Sequence, residues 1–492
     1  MTLIADLLTQ SESKTLEFKR DLSSPKPLLK TLIAFANSAG GRLVIGVSDD
    51  KQIVGVDDPL SEEERLCNLI ADSIAPRLVP NVEMTTVAGK TLLMVEVFLS
   101  GSRPHFLKTE GMQHGVYVRL GSSNRQADAQ FIAELQRGVA GISFDALPMP
   151  HLSKNDLNLA AIHDDFGEKV LSDTVLQSLK LLTREQGKLV PTHGAILLYG
   201  KDRRFHFDDA WIQCGRFIGN DKADIFDHID IEAPLPKAVD DIMLFLKKHA
   251  MRGADFSELR RKDLWSIPID ILREVVVNAL VHADYSQRGT PIRIAFFDNR
   301  IEVESPGLLL PGLTVEEIKL GISKIRNPII ARAFKELDFI EQWGSGIPGI
   351  FRKITEQHLP EATIEEIGMR VRFTVYLKTI APLTSEQSRT GQTRLNRSPA
   401  RPSQAKDSDE QVGEQVGEQV MIVLRTCKIR PQTKAELLNA LDLANVYMNY
   451  KRHLHPLLEQ SLIERTLPDK PNSRLQKYRL TEKGRRLLNT AT

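Results

Sequence analysis

Glu274, Asn278 and His282 stand four residues apart within residues 269–285. On a helix that spacing stacks the three side chains on one face, one turn above another. Ile271, Leu272, Val275, Val276, Val277, Ala279, Leu280 and Val281 cover the rest of the surface. The helix is therefore expected to be buried on most sides, with its polar row facing something polar inside the fold. A bound ligand or metal ion would satisfy that row.

The elements that must position such a helix belong to a large, ordinary composition. At 492 residues the chain exceeds one compact core, and roughly 150 residues per domain suggests about three domains. Its 65 basic and 64 acidic residues nearly cancel, so global charge points to no polyanionic partner. Cys67, Cys214 and Cys427 are widely spaced and odd in number. That argues against a disulfide framework or a thiolate metal site and fits a reducing cytoplasm. No signal peptide is evident, and no apolar run approaches the roughly 20 residues that span a bilayer, so no membrane role is expected. Residues 383–411 are rich in Ser, Thr, Gln, Arg and Pro and lack aromatics, the composition of a flexible linker. A short Gln-Val-Gly-Glu repeat follows at 411–420, with too few copies for a solenoid.

Residues 1–140 read as a mixed α+β domain. Strands are expected at 16–19, 42–47, 53–56, 82–86, 91–99 and 116–120, with helices after Pro25 and from Ser61. Three segments here, Glu12-Ser-Lys-Thr-Leu-Glu-Phe-Lys19, Ala34-Phe-Ala-Asn-Ser-Ala-Gly-Gly41 with Val44-Ile-Gly-Val-Ser-Asp49, and Tyr117-Val-Arg-Leu-Gly-Ser-Ser123, resemble the AlbA-type domain shared with Schlafen proteins. The resemblance implies nucleic-acid binding. In some Schlafen proteins three carboxylates form a metal-dependent ribonuclease site, and Glu12, Glu17 and Asp49 match that pattern. A plainer reading is also available: Glu17 and Lys19 share a strand face and can pair, and Asp49 sits in a turn that favours Asp. Lys19, Arg119 and Arg125 are candidate phosphate contacts, beside the backbone N–H groups of the Gly121 loop.

Residues 141–254 carry little chemistry and read as an α/β scaffold, with a loop entering a buried strand at 190–200 and a helix over 234–251. Beyond the polar helix come strands at 291–297 and 300–304, then Arg326-Asn327, Gly344-Ser345-Gly346 and a last strand at 369–377. The order over 255–380 resembles the ATPase domain of the gyrase, chaperone, histidine kinase and MutL superfamily (GHKL), in its RecG-like C-terminal variant. That likeness implies ATP and Mg²⁺. Glu274 matches the acidic residue that positions attacking water, and Asn278 the Mg²⁺-holding asparagine. His282 is placed near phosphate or ribose, Gly344 and Gly346 in the glycine box, and Arg326 and Asn327 in the lid. One departure stands out: aligning on Gly307 puts Ser305 where the family has an adenine-binding Asp. No Gly-x₄-Gly-Lys-Ser/Thr loop is present, so a helicase motor is not expected.

Residues 412–492 read as a winged helix-turn-helix, with a packing helix at 433–441, a reader helix at 445–459 and a two-stranded wing. From Leu441 onward ten Lys or Arg face five acids, a local excess suited to phosphates. Asn449, Lys451, Arg452, Arg474 and Lys477 are the candidate contacts. The expected whole is an α/β multidomain protein: an ATP-responsive, homo-oligomeric, DNA-binding transcriptional regulator, with RNA as the second nucleic-acid candidate. The rival is an enzyme, an ATP-gated nuclease using Glu12, Glu17 and Asp49, with weak ATP hydrolysis through Glu274.

Overall fold

The computed structural model describes residues 4–167, 172–250, 252–255, 262–340 and 346–377, and, further on, 420, 422–428, 430–441, 454, 457–458, 462–466 and 476–490. The chain divides into two compact units, Met1–Ile380 and Ala381–Thr492.

In the first unit, β1 (Leu16–Lys19) runs parallel to β2 (Gly41–Ile45), with α1 (Pro25–Asn37) as the crossover between them. Prolines at its start set the helix going, because Pro lacks only an N–H that is unpaired there anyway. Leu28, Leu29, Leu32 and Ile33 bury one face, each worth about 1.5–3 kcal/mol on burial. Gly40 ends the turn at φ +78°, where a Cβ would lie 2.8 Å from the Val97 carbonyl oxygen. After α2 (Pro59–Ser73), β3 (Asn81–Val87) and β4 (Lys90–Val97) complete a sheet of order β1-β2-β4-β3. The expected strand at 53–56 is only a bridge, Val47 to Ile53. The hairpin β5 (Tyr117–Leu120) and β6 (Ser123–Gln126) and the helix α3 (Ala129–Val139) lead onward.

The remainder of this unit is built on one larger core, whose buried residues run from Met149 to Leu377. Residues 190–200, expected to enter a strand, instead form α4 (His193–Tyr199), with the Thr192 hydroxyl accepting from the Ala195 N–H at 3.2 Å. A short apolar run does not distinguish buried strand from buried helix, and the capping threonine decided it. Next come β7 (Ile212–Phe217), β8 (Ile225–Ile231) and α5 (Leu235–His249). On α5 Ala238, Ile242 and Phe245 are buried, whereas Leu244 is 68 % exposed. Then follow α6 (Ile269–His282), β9 (Ile292–Phe296), β10 (Arg300–Pro306), α7 (Pro328–Glu336), α8 (Gly346–Glu356), β11 (Thr363–Ile367) and β12 (Arg370–Tyr376). The six strands order as β8-β7-β9-β10-β12-β11, antiparallel except for β7 against β9. The expected boundary at 254/255 therefore falls within one sheet: β7 pairs directly with β9, downstream of α6, and β8 pairs with β7.

The second unit packs Leu437, Leu438, Leu454, Leu457, Ile463, Tyr478 and Leu480 together. Thr433 and Glu436 form a capping box that starts α9 (Lys434–Asn439). β13 (Ile463–Arg465) pairs antiparallel with β14 (Tyr478–Leu480), and α10 (Glu482–Thr490) follows, with the Thr481 hydroxyl accepting from Gly484 N–H at 3.1 Å. The linker at 383–411 lies outside the described residues, and so does the expected reader helix at 445–459 apart from Leu454, Leu457 and Leu458. Among the described residues no helix is long and apolar enough to cross a membrane.

Candidate functional site

α6 places Glu274, Asn278 and His282 on the wall of a cavity of about 360 Å³, at the lower end of what holds a small ligand. Leu272, Val276 and Leu280 hold the other side of the helix in the core. Opposite the polar row the sheet contributes Val303, Ser305, Val371 and Phe373, and the segment from Leu308 to Arg326 and Gly346 close the rim. The space is mostly apolar with one polar side, the usual make-up of a site for a flat, partly charged molecule.

The polar row is only partly used up by protein. The Asn278 side-chain nitrogen donates to the Glu274 carbonyl at 2.8 Å, which fixes the amide orientation and leaves Oδ1 without a partner among the described residues. Burial lowers the His282 pKa to about 4, so its imidazole is neutral at pH 7. Glu274 is ion-paired with Lys353 of α8. Sequence reasoning did not select Lys353; it sits on the apolar-patterned α8 with no motif around it, and only the fold brings it to α6.

The other expected nucleotide residues divide. Arg326 reaches the cavity wall but is buried, paired with Glu134 of α3 and donating to the Leu308 carbonyl, and burial lowers its pKa to about 10. It remains charged at pH 7, yet its charge is committed to Glu134. This corrects the expectation of a lid residue free to meet phosphate. Asn327 is fully buried and is not a lid residue either: its amide donates to the carbonyls of Val281 and Ala283 at 2.8 and 2.7 Å, closing the C-terminal end of α6. Gly307, at φ +97°, lets β10 pass Asp284, whose Cβ would lie 2.8 Å from a Cβ there. It serves that close approach and is not on the cavity wall. Gly344 lies outside the described residues.

In the N-terminal domain the motif residues brace the fold. Arg119 is 1 % exposed. Its guanidinium pairs with Glu17 and donates to the Ser13 carbonyl at 3.0 Å and to Asn124 Oδ1 at 2.9 Å. It cannot reach a nucleic-acid backbone from there, which corrects its placement as a phosphate contact. Asn37 donates to the carbonyls of His105 and Tyr117 and accepts from the His105 N–H at 2.7 Å. Lys19 pairs with Glu17. Glu12 accepts from the Phe18 N–H at 3.1 Å, and Asp49 stands exposed in its turn. Among the described residues no three His, Cys, Asp or Glu side chains converge as metal ligands. The expected carboxylate trio is thus corrected: Glu17 is buried and paired with Arg119 and Lys19, whereas Asp49 is exposed. Arg125 is exposed on β6 and Lys477 of the second unit is exposed beside β14. Asn449, Lys451, Arg452 and Arg474 lie outside the described residues.

Three contacts tie the N-terminal domain to the cavity rim. Gly312 N–H donates to the Ser38 carbonyl at 2.7 Å. Lys14 pairs with Glu366 at 2.7 Å, and the same carboxylate accepts from Leu309 N–H at 2.8 Å. Glu134 holds Arg326.

Residues 12–128 match the family model described as "Schlafen, AlbA_2", and residues 289–376 match "Putative ATP-dependent DNA helicase recG C-terminal". The chain is thus a mixed α/β multidomain protein that carries a Schlafen-type AlbA_2 domain and a RecG-type C-terminal ATPase-like domain. These domain types point to nucleic-acid binding and nucleotide-related activity. The second match begins downstream of α6, so Glu274, Asn278 and His282 lie outside it. Residues 418–481 match "Filamentation induced by cAMP protein Fic-like, C-terminal domain". Among solved structures, the DIP2311 protein from Corynebacterium diphtheriae is 18 % identical over 99 % of this chain and 97 % of that one, with a TM-score of 0.41. The N-terminal domain of a Nitrosomonas europaea protein described as "Putative ATP-dependent DNA Helicase RecG-related Protein" is 32 % identical, covering 26 % of this chain and 94 % of that one, with a TM-score of 0.22. No curated protein matches.

Proposed function

We propose that the protein is a cytoplasmic, self-associating transcriptional regulator that binds DNA through its AlbA_2 domain and a C-terminal winged helix, and responds to ATP and Mg²⁺ taken up beside α6. Its parts are the domains at 1–140, 141–254, 255–380 and 412–492, the middle two sharing one sheet. The observation that carries the reading is the half-satisfied polar row of α6 facing a cavity whose rim is held by the N-terminal domain.

Asn278 Oδ1 is the acceptor that would hold the cation, and bound Mg²⁺ would supply neutralisation of phosphate charge. Neutral His282 offers a hydrogen bond without a net charge. Gly346 leaves the rim open for backbone N–H groups. Ser305, buried in the floor, meets the base with a hydroxyl that both donates and accepts, a weaker selector of adenine than a carboxylate. Glu274 is a water-positioning group only once Lys353 releases it, so nucleotide binding outpaces hydrolysis. A ligand that moves the rim at Leu308–Gly312 pulls on Ser38, Lys14 and Glu134 together, which is a physical route from the cavity to the AlbA_2 domain.

Titration calorimetry of the full chain with ATP and GTP in Mg²⁺ tests the first half. Binding is expected, with Asn278→Ala losing about tenfold or more in affinity at unchanged melting temperature. Absence of heat with both nucleotides would overturn the nucleotide reading. Anisotropy with a labelled duplex, with and without ATP, tests the second: affinity must fall steeply with salt and shift with ATP.

A further inference from the structure

Arg273, Glu274, Lys324 and Arg326 are the charged side chains on the wall of the α6 cavity. Two of these charges are cancelled: Glu274 is paired with Lys353 and Arg326 with Glu134, and neither partner is itself on the wall. Arg273 and Lys324 are held differently. Arg273 Nη2 donates to the Asp338 carbonyl at 3.2 Å, and Lys324 Nζ donates to the Pro311 carbonyl at 2.6 Å. A carbonyl accepts a hydrogen bond but brings no net charge to offset a cation. His282, neutral at pH 7, adds none either. The wall therefore keeps an excess of positive charge, supplied by one residue of α6 and one of the rim.

A cation on open surface needs no counter-ion, because water and salt screen it. Arg273 is half-buried and Lys324 is exposed at the rim, yet both border a mostly apolar space, where screening is weaker and an anion is attracted more strongly. The Arg273 guanidinium also lies over the Phe339 ring, 5.4 Å from its centroid, which fixes its plane. Most of its N–H donors, and most of those on Lys324, remain unspent among the described residues.

We propose that Arg273 and Lys324 hold the anionic end of the cavity's ligand, so that the site selects by phosphate charge more than by base. The inference rests on the nucleotide reading for its ligand and adds the residues that discriminate. It agrees with Ser305 in the floor, a hydroxyl that reads a base only weakly.

Titration calorimetry of the full chain in Mg²⁺ with ATP, GTP, adenosine and inorganic tripolyphosphate tests it. ATP and GTP are expected to bind alike, and adenosine more weakly by about tenfold or more. Arg273→Gln and Lys324→Gln should each lower ATP affinity about tenfold, leave adenosine unchanged and keep the melting temperature. Lys188→Gln, which removes an exposed charge from the hairpin at 182–191, should change neither ligand. Adenosine binding as tightly as ATP overturns the proposal, and so does ATP affinity that either cavity substitution leaves unchanged; in both cases the nucleotide site itself stands. If neither nucleotide binds, tripolyphosphate decides. Bound by the wild type and lost from both variants, it upholds the two cations while the nucleotide reading falls; not bound at all, it overturns both.

Discussion

The AlbA_2 domain and the α6 cavity both present polar residues in recognisable spacing, yet they spend them in opposite ways. In the first, Glu17, Asn37 and Arg119 are saturated by one another and by backbone carbonyls; their spacing records a brace. In the second, Asn278 Oδ1, His282 and the Ser305 side chain border open space. A motif residue is a ligand candidate only where the fold leaves its hydrogen-bonding capacity unspent. Arg326 and Asn327 differ from the row on α6 in that both are buried, the Arg326 guanidinium held by Glu134 of α3 and the Asn327 amide nitrogen by the carbonyls of Val281 and Ala283.

The contrast can be broken at several points. The largest effect is expected from Arg119→Ala, which leaves the buried Glu17 carboxylate with only Lys19 as its ionic partner: a loss of about 3 kcal/mol in urea unfolding, with nucleic-acid affinity lost only as the domain unfolds. If the variant instead folds normally and loses binding, Arg119 is a contact and the brace is wrong. Asn327→Ala removes both donors from the end of α6 and should cost about 1–3 kcal/mol, read by thermal melting. Glu12→Ala and Asp49→Ala touch nothing structural beyond one backbone contact and should shift stability by about 0.5 kcal/mol or less. Either variant reducing a Mg²⁺- or Mn²⁺-dependent cleavage would restore the carboxylate trio.

Acid sharpens the same comparison on the cavity side. Burial lowers the His282 pKa from 6.5 in the open chain to about 4 in the fold. The unfolded chain therefore binds the extra proton in that window, and stability, complete above about pH 6.5, falls as pH drops toward about 4. His193, lowered to about 4 by burial and by Arg137 and His151, acts in the same sense. The melting temperature should decline across this range, and His282→Gln should flatten part of the decline. An unchanged slope would mean that His282 meets water freely.

Much of the molecule was legible from one sequence. Periodicity set α1, α6, the four strands of the N-terminal sheet and three of the six strands of the larger one, because period 3.6 and period 2 are local properties of the chain. The row at Glu274, Asn278 and His282 follows from helical spacing alone. Thr433 and Thr481 cap their helices through groups only three residues along the chain, which is a local device too. What tertiary structure decided is every fact that depends on residues distant in sequence. It joined β7 and β8 to the strands beyond α6, brought Lys353 to Glu274 and Glu134 to Arg326, and turned Arg119 inward. Spacing fixes which face a side chain leaves from; which neighbour it meets, and whether any capacity remains for a ligand, is settled only when remote segments pack.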